Sequence, residues 1–267
     1  MSTRKAIFVT GGASGIGRAI ALYFAERDWF VGVGDVDEAG MRETLGMMKH
    51  GFSYRHTFDV RKLDQWEEAL DAFATAAGGR IDVVVNNAGI APGGPIDTLS
   101  AEEISACIDI NVTGVIFGAK AAHPHLARTA PGSCLLNTAS IAGLYGLADI
   151  SVYCASKAAV RSLTEAFDAE WSEEGIKVAS LCPIFVDTPL LDKTPNRSSN
   201  DIIRDNVTEQ KGEVLPVADV AAAAWRAVHS DELHHLLGKT TKKLAFARRW
   251  MPGRLRRMVR RGESAWK

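Results

Sequence analysis

The stretch that most constrains the fold is Ala6-Ile7-Phe8-Val9-Thr10 running directly into Gly11-Gly12-Ala13-Ser14-Gly15-Ile16-Gly17. The first five residues read as a short buried strand, and the residues after the glycines read as a helix to about Arg27. A strand that turns into a helix through glycines leaves the first helical N–H groups unpaired, and such a helix end can hold a pyrophosphate. The plainer alternative is a tight turn that needs glycine for positive φ. Three residues and then one separate the glycines at 11, 15 and 17, so the loop is a variant of the G-x-G-x-x-G pattern.

The same alternation continues down the chain. Phe30 to Gly34 is a second strand ending at Asp35, and a helix from about Glu38 to Lys49 follows. A third strand, Ser53 to Phe58, ends at Asp59; Leu63 to Ala77 is helical; Ile81 to Val85 is a fourth strand running into Asn86-Asn87-Ala88-Gly89. Ser100-Ala101-Glu102-Glu103 is a capping box opening a long helix toward Arg128. Cys134 to Thr138, a helix carrying Tyr153, and Lys177 to Leu181 complete the series. Strands that alternate with helices and are continuously apolar form a parallel sheet covered on both faces, an α/β fold.

Composition bounds the rest. With 46% apolar and 24% charged residues the chain has the make-up of an ordinary globular protein. No linker-like stretch divides it, so residues 1–238 read as one domain and residues 239–267 as a basic helical extension. The net charge of −1 hides an asymmetry: Lys239 to Lys267 holds eleven basic residues and one acidic one, which leaves the body at −11. The apolar run at the N-terminus is too short for a signal peptide or a membrane span, and a cytoplasmic location is expected. Cys107, Cys134, Cys154 and Cys182 show no CxxC spacing and read as buried free thiols; no metal site is expected.

Several polar residues fall at strand ends, where α/β folds bind ligands. Asp35 can accept both hydroxyls of an adenosine ribose and would repel a 2′-phosphate, or it can cap the next helix, for which Asp37 is the better candidate. Asp59, with Val60, can take an adenine amino group or be a plain turn residue. Asn86 to Gly89 are small enough to let backbone approach a ligand, and Asn111 is an amide among apolar residues, either structural or part of a proton path. His123 and His125 flank Pro124 and read as surface or capping residues without partners, as do His234 and His235. Tyr153 and Lys157 share one helix face, one turn apart. An ammonium there favours the phenolate of a tyrosine that otherwise titrates near about 10. The Ser140 hydroxyl could hold a carbonyl oxygen while the tyrosine moves its proton. A tyrosine and lysine at this spacing mean little by themselves.

Taken together and in order, Thr10-Gly11-x-x-x-Gly15-Ile16-Gly17, Asp59-Val60, Asn86-Asn87-Ala88-Gly89, Asn111, Ser140 and Tyr153-x-x-x-Lys157 resemble the short-chain dehydrogenase/reductase superfamily. The likeness runs from about Lys5 to Pro189. It implies a Rossmann-like, doubly wound, seven-stranded parallel sheet and a nicotinamide cofactor. It implies Tyr153 as acid/base and Ser140 orienting the carbonyl or alcohol. Lys157 would sit on the nicotinamide ribose and lower the tyrosine pKa, and Asn111 would hold a water that relays protons to Lys157. The glycine loop with Ser14 and Ile16, Asp35, Asp59, Val60, Asn86 to Gly89, Pro183, Val186 and Thr188 would bind the cofactor, NAD(H) in preference to NADP(H), alongside Tyr153 and Lys157. Where NADP(H)-preferring members often carry a basic residue before the second loop glycine, this chain has Ser14; Arg18 lies just beyond, able to reach a phosphate or to face solvent. Two features depart from the family: Ile184 stands where a glycine usually follows the proline, and a basic extension follows the last strand, Leu233 to Gly238.

The extension carries Leu244, Ala247, Met251, Leu255, Met258 and Val259 at helical spacing, broken at Pro252-Gly253. Its first reading is docking beside the active-site opening, on its own subunit or a neighbour. An anionic membrane surface or a lipid-like substrate comes second, and nucleic acid is not expected. The expected function is NAD(H)-dependent interconversion of a secondary alcohol and a ketone in a homodimer or homotetramer. The substrate would be hydrophobic, steroid-like or an aryl carbinol, in a pocket built from Asp187 to Leu215. The alternative is a non-catalytic NAD-sensing protein of the same fold.

Overall fold

The computed structural model describes residues 4–48, 51–209 and 212–261. In chain order the elements are β1 (Ala6–Thr10), α1 (Gly15–Ala25), β2 (Phe30–Asp35), α2 (Glu38–Gly46), β3 (Ser53–Thr57), α3 (Leu63–Ala76) and β4 (Val83–Asn86). Then come α4 (Ala101–Ile108), α5 (Gly114–Thr129), β5 (Cys134–Thr138), α6 (Ser151–Trp171), β6 (Lys177–Pro183) and β7 (Phe185–Val186). The chain closes with α7 (Ile203–Glu209), β8 (Val214–Leu215), α8 (Val217–His229), β9 (His234–Leu237), α9 (Lys239–Trp250) and α10 (Pro252–Arg260). Seven strands form one sheet in the order β3-β2-β1-β4-β5-β6-β9, and every neighbouring pair is parallel. Strand order reverses between β1 and β4, and the crevice outside their carboxyl ends is where open α/β sheets bind ligands.

The two-residue period of a strand divides the core. Ile7, Val9, Val31, Val33, Val83, Val85 and Leu136 face one side, where Ile20, Phe24 and the alanines of α8 cover them. Phe8, Val84, Leu135 and Val178 face the other, beneath Trp66, Leu70 and Phe73 of α3 and Ala122 and Leu126 of α5. Both faces are covered, which is why the central strands carry no polar alternation.

The capping box forms: Ser100 Oγ accepts from Glu103 N, and Glu103 accepts from Ser100 N. From Ala101 to Thr129 the helix is continuous but passes through a π turn at Asp109–Thr113, which contains Asn111. That run is apolar enough to cross a bilayer by composition, yet Val115, Ala119, Ala122 and Leu126 are buried within the fold.

Several boundaries move. β3 stops at Thr57 because Phe58 turns inward, its ring 5.0 Å from Trp66. β4 starts at Val83; Asp82 instead uses its carboxylate on Ala6 N, at 2.8 Å, and on Arg80. α3 ends at Ala76, β6 runs on to Pro183, and β9 spans only His234–Leu237. α2 ends at Gly46; Lys49, the expected end of that helix, lies outside the described residues.

The histidines are not unpartnered surface groups. His123 Nε2 is 3.0 Å from Glu174, and His125 is buried with Asp71 at 3.4 Å. His234 bridges Ser180 and Glu165 from the edge strand, and His235 is buried there beside Glu232. Sequence spacing hides the partners of His123, His125 and His234 because each pair joins elements far apart in the chain; His235 and Glu232 are a local pair, three residues apart.

Candidate active site

The glycine-loop half of the site is built at the end of β1. Ser14 is the N-cap of α1 with extended backbone, its exposed hydroxyl caps nothing, and the first helical turn holds no acidic residue. That end of the helix is open to an anion. Gly15 has φ +53°, and a Cβ there would press on Thr188 at 3.2 Å, so the loop after β6 closes directly over the glycine turn. A Cβ on Gly17 would overlap the Gly11 carbonyl, which fixes glycine where α1 packs on the turn.

Asp35 ends β2 with one oxygen accepting from Ala13 N at 3.1 Å and the other from Asp37 N at 3.1 Å. Asp37 caps α2, accepting from Gly40 N, so the cap is filled without Asp35. Arg18 neither reaches toward a phosphate nor faces solvent. It turns onto α2, donating to Thr44 Oγ1, the Ala13 and Gly40 carbonyls and Glu43. Asp59 is bound by Arg61 through side chain and backbone, and Arg61 lowers its pKa. An adenine amino group would have to share that carboxylate.

Thr10 organises the Asn86–Gly89 stretch. Its hydroxyl donates to Val85 O and accepts from Asn87 N and Ala88 N, while Asn87 Nδ2 donates to Thr10 O. Asn86 stays below the surface, donating to Asn137 Oδ1 and Val115 O; Asn137 in turn donates to Thr164 of α6. This buried amide chain ties β4, β5 and α6 together, and with them the register of Tyr153. Val60 packs against Gly114 rather than lining the main cleft.

Tyr153 and Lys157 project from the first two turns of α6, and Ser140 follows β5. Lys157 is 5% exposed, donates through Nζ to Thr138 O at 2.7 Å, and lies 5.8 Å from the Tyr153 ring centroid. Burial pushes its pKa down to about 8, partly offset by Cys107 and Cys182. Burial likewise pushes the Tyr153 phenol up to about 12, while a hydrogen bond with Ser140 pulls the other way. In the protein alone burial holds the phenol up, and Lys157 is turned to the Thr138 carbonyl. Ser140 Oγ accepts from Ala142 N and donates weakly to Pro183 O.

Asn111 is fully buried and engaged. It clasps Ile90 through both its N–H and its carbonyl, and donates to Ser156 Oγ at 3.1 Å. Its side chain thus holds the segment after Gly89. A Cβ on Gly89 would lie 3.1 Å from Asn111 Oδ1 and 3.6 Å from Lys157 Nζ, so all three meet at one point.

Ser140, Tyr153 and Lys157 face one cleft of about 1470 Å³, which also takes in Ile16, Asn87, Gly89, Pro183, Val186 and Thr188. Gly11, Ser14, Gly15, Gly17, Asp35, Asp59, Val60, Asn86, Ala88 and Asn111 do not line it.

Residues 5–198 match the family model described as short chain dehydrogenase. The chain belongs to the short chain dehydrogenase family. It is 36% identical over 194 residues to a Staphylococcus aureus diacetyl reductase, (S)-acetoin forming, covering 72% of this chain and 75% of that protein. It is 34% identical to the probable oxidoreductase EphD of Mycobacterium tuberculosis, covering 70% of this chain but spanning only 32% of EphD. A Burkholderia phymatum short chain dehydrogenase/reductase solved in complex with NAD superposes with a TM-score of 0.78 at 27% identity, covering 86% of this chain and 88% of that one.

Three parts of the cleft were marked in the sequence only broadly, as the segment from Asp187 to Leu215, the departure at Ile184 and the extension beside the opening. Asn196 is buried and donates to Gly93 O at 2.7 Å, while Gly93 N donates to Pro195 O, fastening the loop after β7 across the cleft. Only the Gly93-Gly94-Pro95 run hinted at a turn there. Met258 and Val259 of α10 form part of the wall. Ile184 is buried with Ile141, Leu144, Leu244 and Leu255, so the bulk that replaces the family's glycine anchors the C-terminal helices on the chain's own body.

Proposed function

We propose that the protein is an NAD(H)-dependent oxidoreductase interconverting a secondary alcohol and a ketone. The observation that carries this reading is the meeting of Ser140, Tyr153 and Lys157 in a cleft that reaches Ile16 in the first turn of α1, beside its uncapped N-terminus. The site fits a dinucleotide: Ser14 and the Gly15 turn can take the pyrophosphate, and Asp35 the adenosine ribose. Lys157, Asn87 and Val186 would hold the nicotinamide half, and Thr188 would reach the bound group from above the glycine turn. The bound cofactor supplies the hydride position. Ser140 holds the substrate oxygen, Tyr153 gives or accepts its proton, and Lys157 orients the ribose and, with the cofactor bound, draws the phenol pKa down. Asn111 fixes the backbone at Ile90 and shapes the route by which protons reach Lys157. Proton transfer by such a group contributes roughly 10²–10⁴-fold to rate.

NAD(H) is preferred because Asp35 would meet a 2′-phosphate with like charge, and neither Ser14 nor the inward-turned Arg18 can offset it. The lining from Ile184 to Leu191 and from α10 supports a bulky apolar alcohol, steroid-like or an aryl carbinol. The diacetyl reductase relative supports carbonyl reduction. The test is a screen of alcohols and ketones with NADH and NADPH, read at the reduced nicotinamide. Turnover at least about tenfold better with NADH is expected. A wild type that prefers NADPH, or no substrate-dependent signal with intact NADH binding, contradicts the reading; the second result would favour an NAD-sensing protein.

A further inference from the structure

We propose that α9 and α10 form a docking face for an anionic lipid bilayer, beside the cleft that α10 also lines. Between Lys239 and Arg261 the sequence has no acidic residue. Lys242, Lys243, Arg248, Arg249, Arg254, Arg256, Arg257 and Arg260 are all exposed, and among the described residues none makes an ion pair. Where the two helices meet, Phe246 is 58% exposed, Trp250 64% and Met251 37%, with the Arg249 guanidinium 5.3 Å from the Trp250 ring.

The pattern has two faces. Leu244 and Leu255 are buried against Ile184, and Met258 and Val259 reach the cleft. The exposed positions around these residues carry the cations, and the helix corner carries the aromatics. Indole and phenyl rings settle at the headgroup level of a bilayer, and clustered arginines and lysines bind anionic lipid there. The rest of the chain carries more acidic than basic residues, so the excess of positive charge falls on this extension. A lipid surface held here would lie next to the cleft wall made by Met258 and Val259, the side from which a water-insoluble substrate would have to come.

The experiment is co-sedimentation of the full chain with vesicles of phosphatidylcholine alone and of phosphatidylcholine with 30% phosphatidylglycerol (~30%, within the range that charges a surface). At low salt, partition to the anionic vesicles should exceed that to neutral ones by at least about tenfold, and should fall about tenfold in 0.5 M salt. Arg248→Glu/Arg249→Glu should abolish the preference, and Phe246→Ser/Trp250→Ser should weaken binding at low salt. These are exposed positions, and unchanged thermal unfolding with unchanged NADH binding shows that the variants are folded. Wild-type Trp250 should shift its emission to the blue on anionic vesicles, a shift missing in Trp250→Phe. Equal binding to both vesicles, no binding, or full retention in the variants overturns the proposal. So does a loss of oligomer mass in Phe246→Ser/Trp250→Ser, which assigns the face to a second copy of the chain. Tighter binding to a DNA duplex than to anionic vesicles at the same salt also overturns it.

Discussion

Lys157 shows how burial prepares a side chain for work at a cost to the protein without its cofactor. Its pKa falls from 10.5 to about 8, so the folded state binds its proton less tightly than the unfolded chain does. Stability therefore rises as pH climbs from about 8 toward 10.5 and is lower by at most ~3 kcal/mol below that window. Tyr153 acts in the opposite sense: its raised pKa means that stability is lost as pH rises from about 10 to 12. Lys157→Met should thus unfold at higher temperature than wild type at pH 7 in the absence of NAD, with the rise above pH 8 removed. Scanning calorimetry across pH 7–10 checks this, and a less stable variant at pH 7 would refute the buried-ammonium account. Asp35 belongs to the same scale. Asp35→Ser with Ser14→Arg should shift the NADPH-to-NADH ratio of kcat/KM by at least about tenfold, since charge-assisted hydrogen bonds are worth roughly 1.5–3 kcal/mol. An unchanged ratio would remove Asp35 from the ribose site.

At the scale of elements, the segments that reach across the cleft depend on contacts no local pattern announces. Arg204 of α7 donates to Asp187 and Asp192 and, at 3.4 Å, to Thr188 O, lowering the Asp192 pKa. These groups are exposed, so Arg204→Ala should leave the melting temperature nearly unchanged. It should instead raise amide exchange over residues 187–209 and raise KM more than it changes kcat; a large fall in melting temperature would contradict this. Ile184→Ala should do the reverse, costing about 2–4 kcal/mol through a cavity under Leu244 and Leu255 and raising exchange in α9 and α10. The strands and helices around the glycine loop were legible because apolar runs and caps are local signals: β1, β5, Asp37 and the Ser100–Glu103 box stand where the sequence put them. Tyr153, Lys157 and Ser140 could be grouped from their order in the chain. The bond from Asn196 to Gly93 and the partner of His125 could not, since each contact joins residues separated by long stretches of sequence, and the extension was expected beside the opening without its contacts. The desolvation of Lys157 was equally hidden, because it depends on everything packed around α6.

For the whole molecule, the outer side of the α4–α5 run leaves Ile108 37% and Ile116 39% exposed. Apolar positions on the helix that bears Asn111 are those a dimer would cover. The chain should sediment as a dimer or tetramer, and Ile108→Arg/Ile116→Arg should reduce the mass by one assembly step; a wild-type monomer at micromolar concentration would contradict this. The chemistry proposed for the cleft is the movement of one proton by Tyr153 beside a nucleotide held at the glycine turn. Its most direct test is single-turnover reduction of an accepted ketone by NADH in wild type and Tyr153→Phe, with NADH affinity measured on both. The account predicts unchanged affinity and a rate lower by about two to four orders of magnitude in the variant. A variant that keeps more than about a tenth of the wild-type rate, with NADH bound equally well, would show that Tyr153 is not the acid/base.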